Sequence, residues 1–214
     1  MRNIFKDFKI KRELKRFKEF KKDYIFNFKQ IEKNDDGSVF CESVCVRETA
    51  ESEWVGETEN FVNVGYKIHG ALPKALSNLF HYEFYFKGFK INSIEAVFQG
   101  FKFRNKKTQK HLFRYYGLDS NNIKVACDFN WKEKKEVYFQ GVKIDRNSSE
   151  YENFIDELYI SVIQNPLYRN VLKNVGQKYI LHAIGCEFKD ETVFSRYEFE
   201  YELNALKSYV QKYY

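Results

Sequence analysis

Tyr151, Phe154, Ile155, Leu158, Tyr159, Val162 and Ile163 recur at intervals of three and four residues, the strongest periodicity in the chain. A strand alternates every second residue, so only a helix gathers these side chains on one face. Ser149 and Glu152 stand where a capping box would open that helix. Asn165-Pro166 ends it and starts another, with Asn165 as cap and Pro166 at the first helical position. The second helix carries Val171 and Leu172 and stops at Gly176, a natural left-handed terminator. Tyr179 to Ile184 then reads as a buried strand. Ser195 and Glu198 form a further capping box, opening a last helix with Phe199, Leu203, Leu206 and Val210 on one face.

The preceding chain mixes signals. Asn34-Asp35-Asp36-Gly37 marks a turn, and Val39 to Val46 is expected as a strand. Residues 48–60 are acidic and read as an exposed loop, and Phe61 to Ile68 as a strand. Phe80 to Asn92 holds two aromatic runs around Lys87-Gly88, which predicts a hairpin. Ser93 is a good cap for a helix from about Ile94 to Arg104, with Ile94, Val97, Phe98 and Phe101 inward. Residues 117–130 read as a loop leading into Trp131, and Lys135 to Val142 suits either helix or strand. With no regular βαβ alternation, the fold class is α+β. One mostly helical domain around a small sheet or hairpin is expected over 61–214, with 1–60 as an extension made of a basic helix and an acidic loop.

A 214-residue chain that is 43% hydrophobic can build a core without disulfide staples. It has no run of about 18 apolar residues, so no membrane span is expected. Its basic N-terminus lacks the apolar stretch of a secretory signal, and a cytoplasmic location is the default expectation. Residues 1–22 hold ten Lys/Arg against three Asp/Glu, while the other 192 residues hold 26 against 27. The basic excess therefore sits in one segment. Ile4, Phe5, Phe8, Leu14, Phe17 and Phe20 lie among those lysines. The segment reads either as an arm for nucleic acid or an anionic surface, or as a helix docked by its Phe stripe with a solvated basic face. Cys41, Cys45, Cys127 and Cys186 lack zinc-site spacing and read as free thiols, and His69, His81, His111 and His182 are scattered. No metal or cofactor is expected. His182, within an apolar run, reads as a satisfied core residue.

Glu95, Gln99 and Lys102 fall at i, i+4 and i+7, so they share one helix face away from the apolar stripe. Glu95 lies in the first turn, where the helix dipole and free backbone N–H groups favour negative charge. A carboxylate placed there can steady a developing cation or activate a water.

Ala75 to Phe80, Gly88, Ser93-Ile94-Glu95, Gln99 and Lys102, then Val125 to Asp128, Trp131 and Lys135, and finally Tyr159 to Leu167, Leu172, Gly176 and Leu181-His182-Ala183 follow a recognisable order. That order resembles the NADAR superfamily over about residues 70–185. The resemblance implies an N-glycosidase acting on a ribose–nitrogen bond, in an ADP-ribosyl group on a guanine base or a phosphorylated riboflavin intermediate. It casts Glu95 as the catalytic carboxylate and Trp131 as a wall of the substrate pocket. Asn78, Ser93, Gln99 and Lys102 become substrate-binding positions. Family members carry a catalytic Asp in Asp-x-x-Trp-Gly. The matching stretch, Gly185 to Phe194, lacks Trp-Gly, and Asp190 is its nearest acid, with Glu187 behind it. The expected partner is a small nucleotide-like molecule or an ADP-ribosylated nucleic acid. The alternative is a non-catalytic nucleotide or nucleic-acid binder that uses its basic arm, or a partner-binding domain with the fold alone.

Overall fold

The computed structural model describes residues 4–31, 56–122, 131–186, 188, 189 and 191–214, with the side chains of 4–7, 25–31 and 120–122 left out of the description. The architecture is α+β, with nine helices and three two-stranded sheets among the described residues. In chain order these are α1 (Ile4–Ile31), β1 (Phe61–Asn63), α2 (Ala71–Leu76), β2 (Phe84–Phe86), β3 (Phe89–Ile91), α3 (Ile94–Gly100), α4 (Lys106–Leu112) and α5 (Gly117–Asn122). They continue as α6 (Trp131–Lys134), β4 (Glu136–Phe139), β5 (Val142–Asp145), α7 (Ser149–Val162), α8 (Pro166–Asn174), β6 (Tyr179–Leu181) and α9 (Arg196–Tyr213). None of the helices is long and apolar enough to cross a membrane, among the described residues.

The stripe of α7 forms the centre of the core. Leu158, Tyr159, Val162 and Ile163 are all fully buried, and α7 packs on α1, β2 and β5. Two serines in a row move its start by one residue. Ser148, not Ser149, is the cap, accepting from the Tyr151 amide at 3.2 Å. Asn165 and Pro166 open α8 as the spacing predicts, and Gly176 follows it at φ +61°. The capping box of α9 is present in both directions, Ser195 to the Glu198 amide and Glu198 to the Ser195 amide.

Both hairpins turn through two residues of positive φ, Lys87-Gly88 and Gln140-Gly141. That geometry matches the right-handed twist of the flanking strands. The Lys87-Gly88 hairpin is the expected one. The second resolves Lys135 to Val142 as strand, and a buried side chain holds it. Gln109, fully buried on α4, accepts from the Gln140 amide at 2.6 Å and donates to the Phe103 and Tyr138 carbonyls.

Four expected segments come out shorter or different, the first being α3, which ends at Gly100 and not near Arg104. β1 ends at Asn63 and β6 at Leu181, paired in parallel from Phe61↔Tyr179 to Asn63↔Leu181. Side chains of α9 take the place of a further strand along β6. Asn204 both donates to the Ile180 carbonyl and accepts from its amide, at 2.9 and 3.0 Å, and Glu200 accepts from the His182 amide. Residues 117–122 form α5, not the loop expected there. Gly117 enters it at φ +62° with its amide on the Leu79 carbonyl. The turn at 34–37, the strand at 39–46, residues 48–55, and Cys41, Cys45 and Cys127 lie outside the described residues. Within the acidic stretch, Glu57 bridges to Val62 and pairs with Lys178 at 2.6 Å.

The basic N-terminal segment is a docked helix. Phe17 is fully buried in the main core, with Ile10, Leu14, Phe20 and Tyr24 packed against it, and α1 lies on α7 and α9. Its outer face keeps Lys9, Lys11, Arg12, Lys15, Arg16 and Lys22 in solvent.

His182 is satisfied in place. Its Nδ1 lies 2.8 Å from the Val64 carbonyl and its ring 4.8 Å from that of Phe199. Burial pushes the imidazole below its ordinary value, with the Val64 carbonyl acting the other way. A depressed folded value means that the unfolded chain takes up the proton first. Stability conferred here is present above the ordinary histidine value of 6.5 and is lost as pH falls through the lower folded value. Melting temperatures measured from neutral to mildly acid pH should fall in the wild type and fall less in His182→Gln.

Candidate functional site

Ser93 sets the head of α3. Its Oγ accepts from the Ala96 amide at 3.1 Å and donates to the Tyr115 carbonyl at 3.0 Å. Buried completely, it is a structural cap, not a ligand group open to solvent. Glu95, two residues on, is half-buried, and its amide donates to the Asn78 carbonyl at 2.9 Å. The turn that carries Asn78 is thereby seated on the start of the helix.

The i, i+4, i+7 face closes into a chain of hydrogen bonds. Gln99 donates from Nε2 to Glu95 Oε1 at 2.5 Å, and Lys102 donates to Gln99 Oε1 at 2.9 Å. Gln99 is almost wholly buried, so its amide is fixed, and it fixes the carboxylate in turn. Glu95 Oε2 makes no hydrogen bond among the described residues. Asn78 is oriented from the other side, since Tyr159, from the middle of α7, donates to its Oδ1 at 2.9 Å. The Asn78 NH₂ makes no hydrogen bond among the described residues. The structure thus brings together Asn78, Ser93, Glu95, Gln99 and Lys102.

Trp131 is not joined to that chain. It opens α6 at 6% exposure and belongs to the main apolar cluster. Asp190 and Glu187 lie outside the described residues. The stacked rings of Phe98 and Phe194, 5.0 Å apart, tie α3 to the segment before α9.

Two cavities lie elsewhere. One, about 470 Å³, sits between the β2–β3 hairpin and α4 and is lined by His81, Phe89, Lys90, Lys110, Phe113 and Arg114, among others. The other, about 400 Å³, lies where α1 meets α7 and α9. In its wall Lys21 donates to Asp156 at 2.7 Å and to Glu202 at 2.6 Å. Burial opposes the Lys21 charge, but the two carboxylates outweigh it and raise its pKa. Glu202, with one cation shared between two acids, is raised by burial and by Asp156 against the pull of Lys21. Nearby, buried Arg146 grips Glu198 at 3.0 and 2.5 Å and, against burial, holds that carboxyl below its usual range.

Neither cluster was anticipated from sequence. The triad unites residues 135 and 181 positions apart, for which no local signal exists. The cations beside the larger cavity did leave a signal, since the chain has no acidic residue between Glu95 and Asp119.

Residues 71–208 match the family described as Bacteriophage protein GP30.3. The chain is also 27% identical over 135 residues to an uncharacterised 17.1 kDa protein of the Gp30–rIII intergenic region of Enterobacteria phage T4, an alignment covering 62% of this chain and 88% of that protein. No solved structure matches. These findings overturn the NADAR resemblance. Its pieces were a capped helix start, a hairpin glycine and an Asn-Pro break, which many α+β domains use for local geometric reasons. The matched span runs from α2 into α9 and leaves α1 outside. On that match, covering well over half its length, the chain belongs to the Bacteriophage protein GP30.3 family.

Proposed function

We propose that the chain is an N-glycosidase that hydrolyses a ribose–nitrogen bond in a nucleotide-like substrate, with Glu95 as the working carboxylate. The supporting observation is the way Glu95 is held. One oxygen is locked by Gln99, itself held by Lys102, while the other makes no hydrogen bond among the described residues. Cleavage of such a bond sends the electron pair to the departing nitrogen and leaves positive charge on the sugar ring. A fixed carboxylate beside that ring stabilises the charge at no cost of reorganisation. Water then adds to the anomeric carbon and gives up a proton, while the released base gains one. In this reading the Asn78 NH₂, on an amide whose oxygen is held by Tyr159, donates to a sugar hydroxyl.

The test is incubation with a panel of nucleosides, nucleotides and ADP-ribosyl conjugates, with mass analysis for free base and free sugar. Glu95→Gln should cut turnover by about 10²–10³-fold with the melting temperature maintained, the usual loss when one preorganised stabilising group goes. Full activity in Glu95→Gln, or no base released by the wild type from any of the panel, would refute the reading.

A further inference from the structure

From Ala96 to Leu118 the chain carries Lys102, Arg104, Lys106, Lys107, Lys110 and Arg114 with no acidic residue between them. The fold presents the last four of them on and just beyond α4. α4 buries Gln109 and Leu112, which turns Lys106, Lys107, Lys110 and His111 to solvent, and Arg114 is exposed just beyond its end. Lys107, Lys110 and Arg114 have no acidic partner among the described residues. Other exposed or half-buried cations do have acidic partners, Lys87 with Glu157, Lys143 with Glu136 and Lys178 with Glu57, while the cations on the outer face of α1 are spread along a longer helix. Like charges crowded on a helix of seven residues repel one another, an arrangement that a bound polyanion would relieve.

The groove of about 470 Å³ runs beside this face, with Lys110 and Arg114 in its wall next to the rings of Phe89 and Phe113. Its one carboxylate, Glu83, is matched by Lys90 at 2.7 Å. At its edge His81 stacks on Tyr116, ring centroids 4.2 Å apart and planes 17° from parallel. Both rings are exposed, so a base can continue the stack.

Unpaired cations beside exposed aromatic faces match the chemistry of an unwound strand, with phosphates along the charges and bases on the rings. A duplex, whose bases are already stacked, could use only the charges. We infer that the α4 face and its groove bind single-stranded nucleic acid, with Lys107, Lys110 and Arg114 along the phosphates and the His81–Tyr116 pair as a base platform. The surface adjoins the head of α3, because Asn92 Nδ2 donates to the Arg114 carbonyl and Ser93 Oγ to that of Tyr115. Binding here does not depend on any activity at Glu95.

Fluorescence anisotropy with a labelled oligothymidine, and with a duplex of equal length, tests this on the full chain. Single-strand affinity should exceed duplex affinity and fall with salt at a log–log slope of about −2 to −3, as expected for three or four phosphate contacts. Reversing Lys107, Lys110 and Arg114 to Glu should abolish that slope, whereas reversing Lys11, Lys15 and Lys22 on α1 should leave affinity and slope unchanged. Tyr116→Ala should weaken single-strand binding by about fivefold to a hundredfold at unchanged slope. Equal affinity for the duplex, unchanged binding in the α4 charge reversal, or equal loss in the α1 reversal would each overturn the assignment.

Discussion

Lys21→Met should lower the unfolding free energy by about 3–5 kcal/mol, the cost of removing one partner from a buried ion cluster. Lys21 Nζ sits between Asp156 and Glu202, whose side chains are 10% and 3% exposed. It also packs 4.9 Å from the Tyr201 ring centroid and 5.5 Å from that of Phe17. Without the ammonium, two carboxyls face each other where water is scarce. The loss should therefore shrink in acid, where both can be protonated. It should also largely disappear when Asp156 and Glu202 are replaced by Leu in the same chain, since a cluster exchanged whole for apolar groups leaves no stranded charge. Denaturant unfolding of the single and triple variants measures both effects. A single-variant loss below about 1 kcal/mol would show that the cluster behaves like a solvated surface pair.

Phe139→Ala should be equally damaging, at about 3–5 kcal/mol, the usual range for truncating a buried aromatic ring. The Phe139 ring meets four others, Phe86 at 5.4 Å, Phe89 at 6.0 Å, Phe113 at 5.8 Å and Phe154 at 5.0 Å. Those rings come from β2, β3, the end of α4 and α7, so the void would open where both hairpins meet the central helix. Flat, stiff rings held from four directions cannot collapse into it. Phe139→Leu, which keeps most of the volume, should cost roughly half as much or less. Equal losses for Ala and Leu in urea unfolding would mean that ring geometry, not filled volume, is what matters at this position.

The helices were legible wherever stripe and cap coincided. Asn165-Pro166 and the Ser195–Glu198 box act within one turn, so their neighbours in sequence suffice to place them. The choice between Ser148 and Ser149 was not legible, because both can cap and the decision came from the preceding turn, where Ser148 Oγ donates to the Asp145 carbonyl. The Gln140-Gly141 hairpin lacks the usual Asn or Asp, and its turn is held by Gln109 from 31 residues away. In the candidate site, the shared face of Glu95 and Gln99 followed from helical spacing, whereas Lys102 lies past the end of α3 and reaches Gln99 from the turn that follows it. The meeting of Asn78 with both Glu95 and Tyr159 did not, since Tyr159 is 81 residues from Asn78. Trp131, cast as a pocket wall by the resemblance, is buried in the main apolar cluster, which the sequence did not reveal because burial of an indole depends on what packs over it.

The amino-acid order by itself determined that α3, α7, α8 and α9 are helical, where α8 and α9 start, and that a carboxylate and an amide share one face of α3. Those properties are set by rotation per residue and by hydrogen bonds that close within a turn. Tertiary structure alone decided that the basic N-terminal helix docks, that α9 supplies Asn204 in place of a strand beside β6, and that Lys110 and Arg114 line a groove. Each of those outcomes depends on burial and charge between parts of the chain that meet only once it is folded.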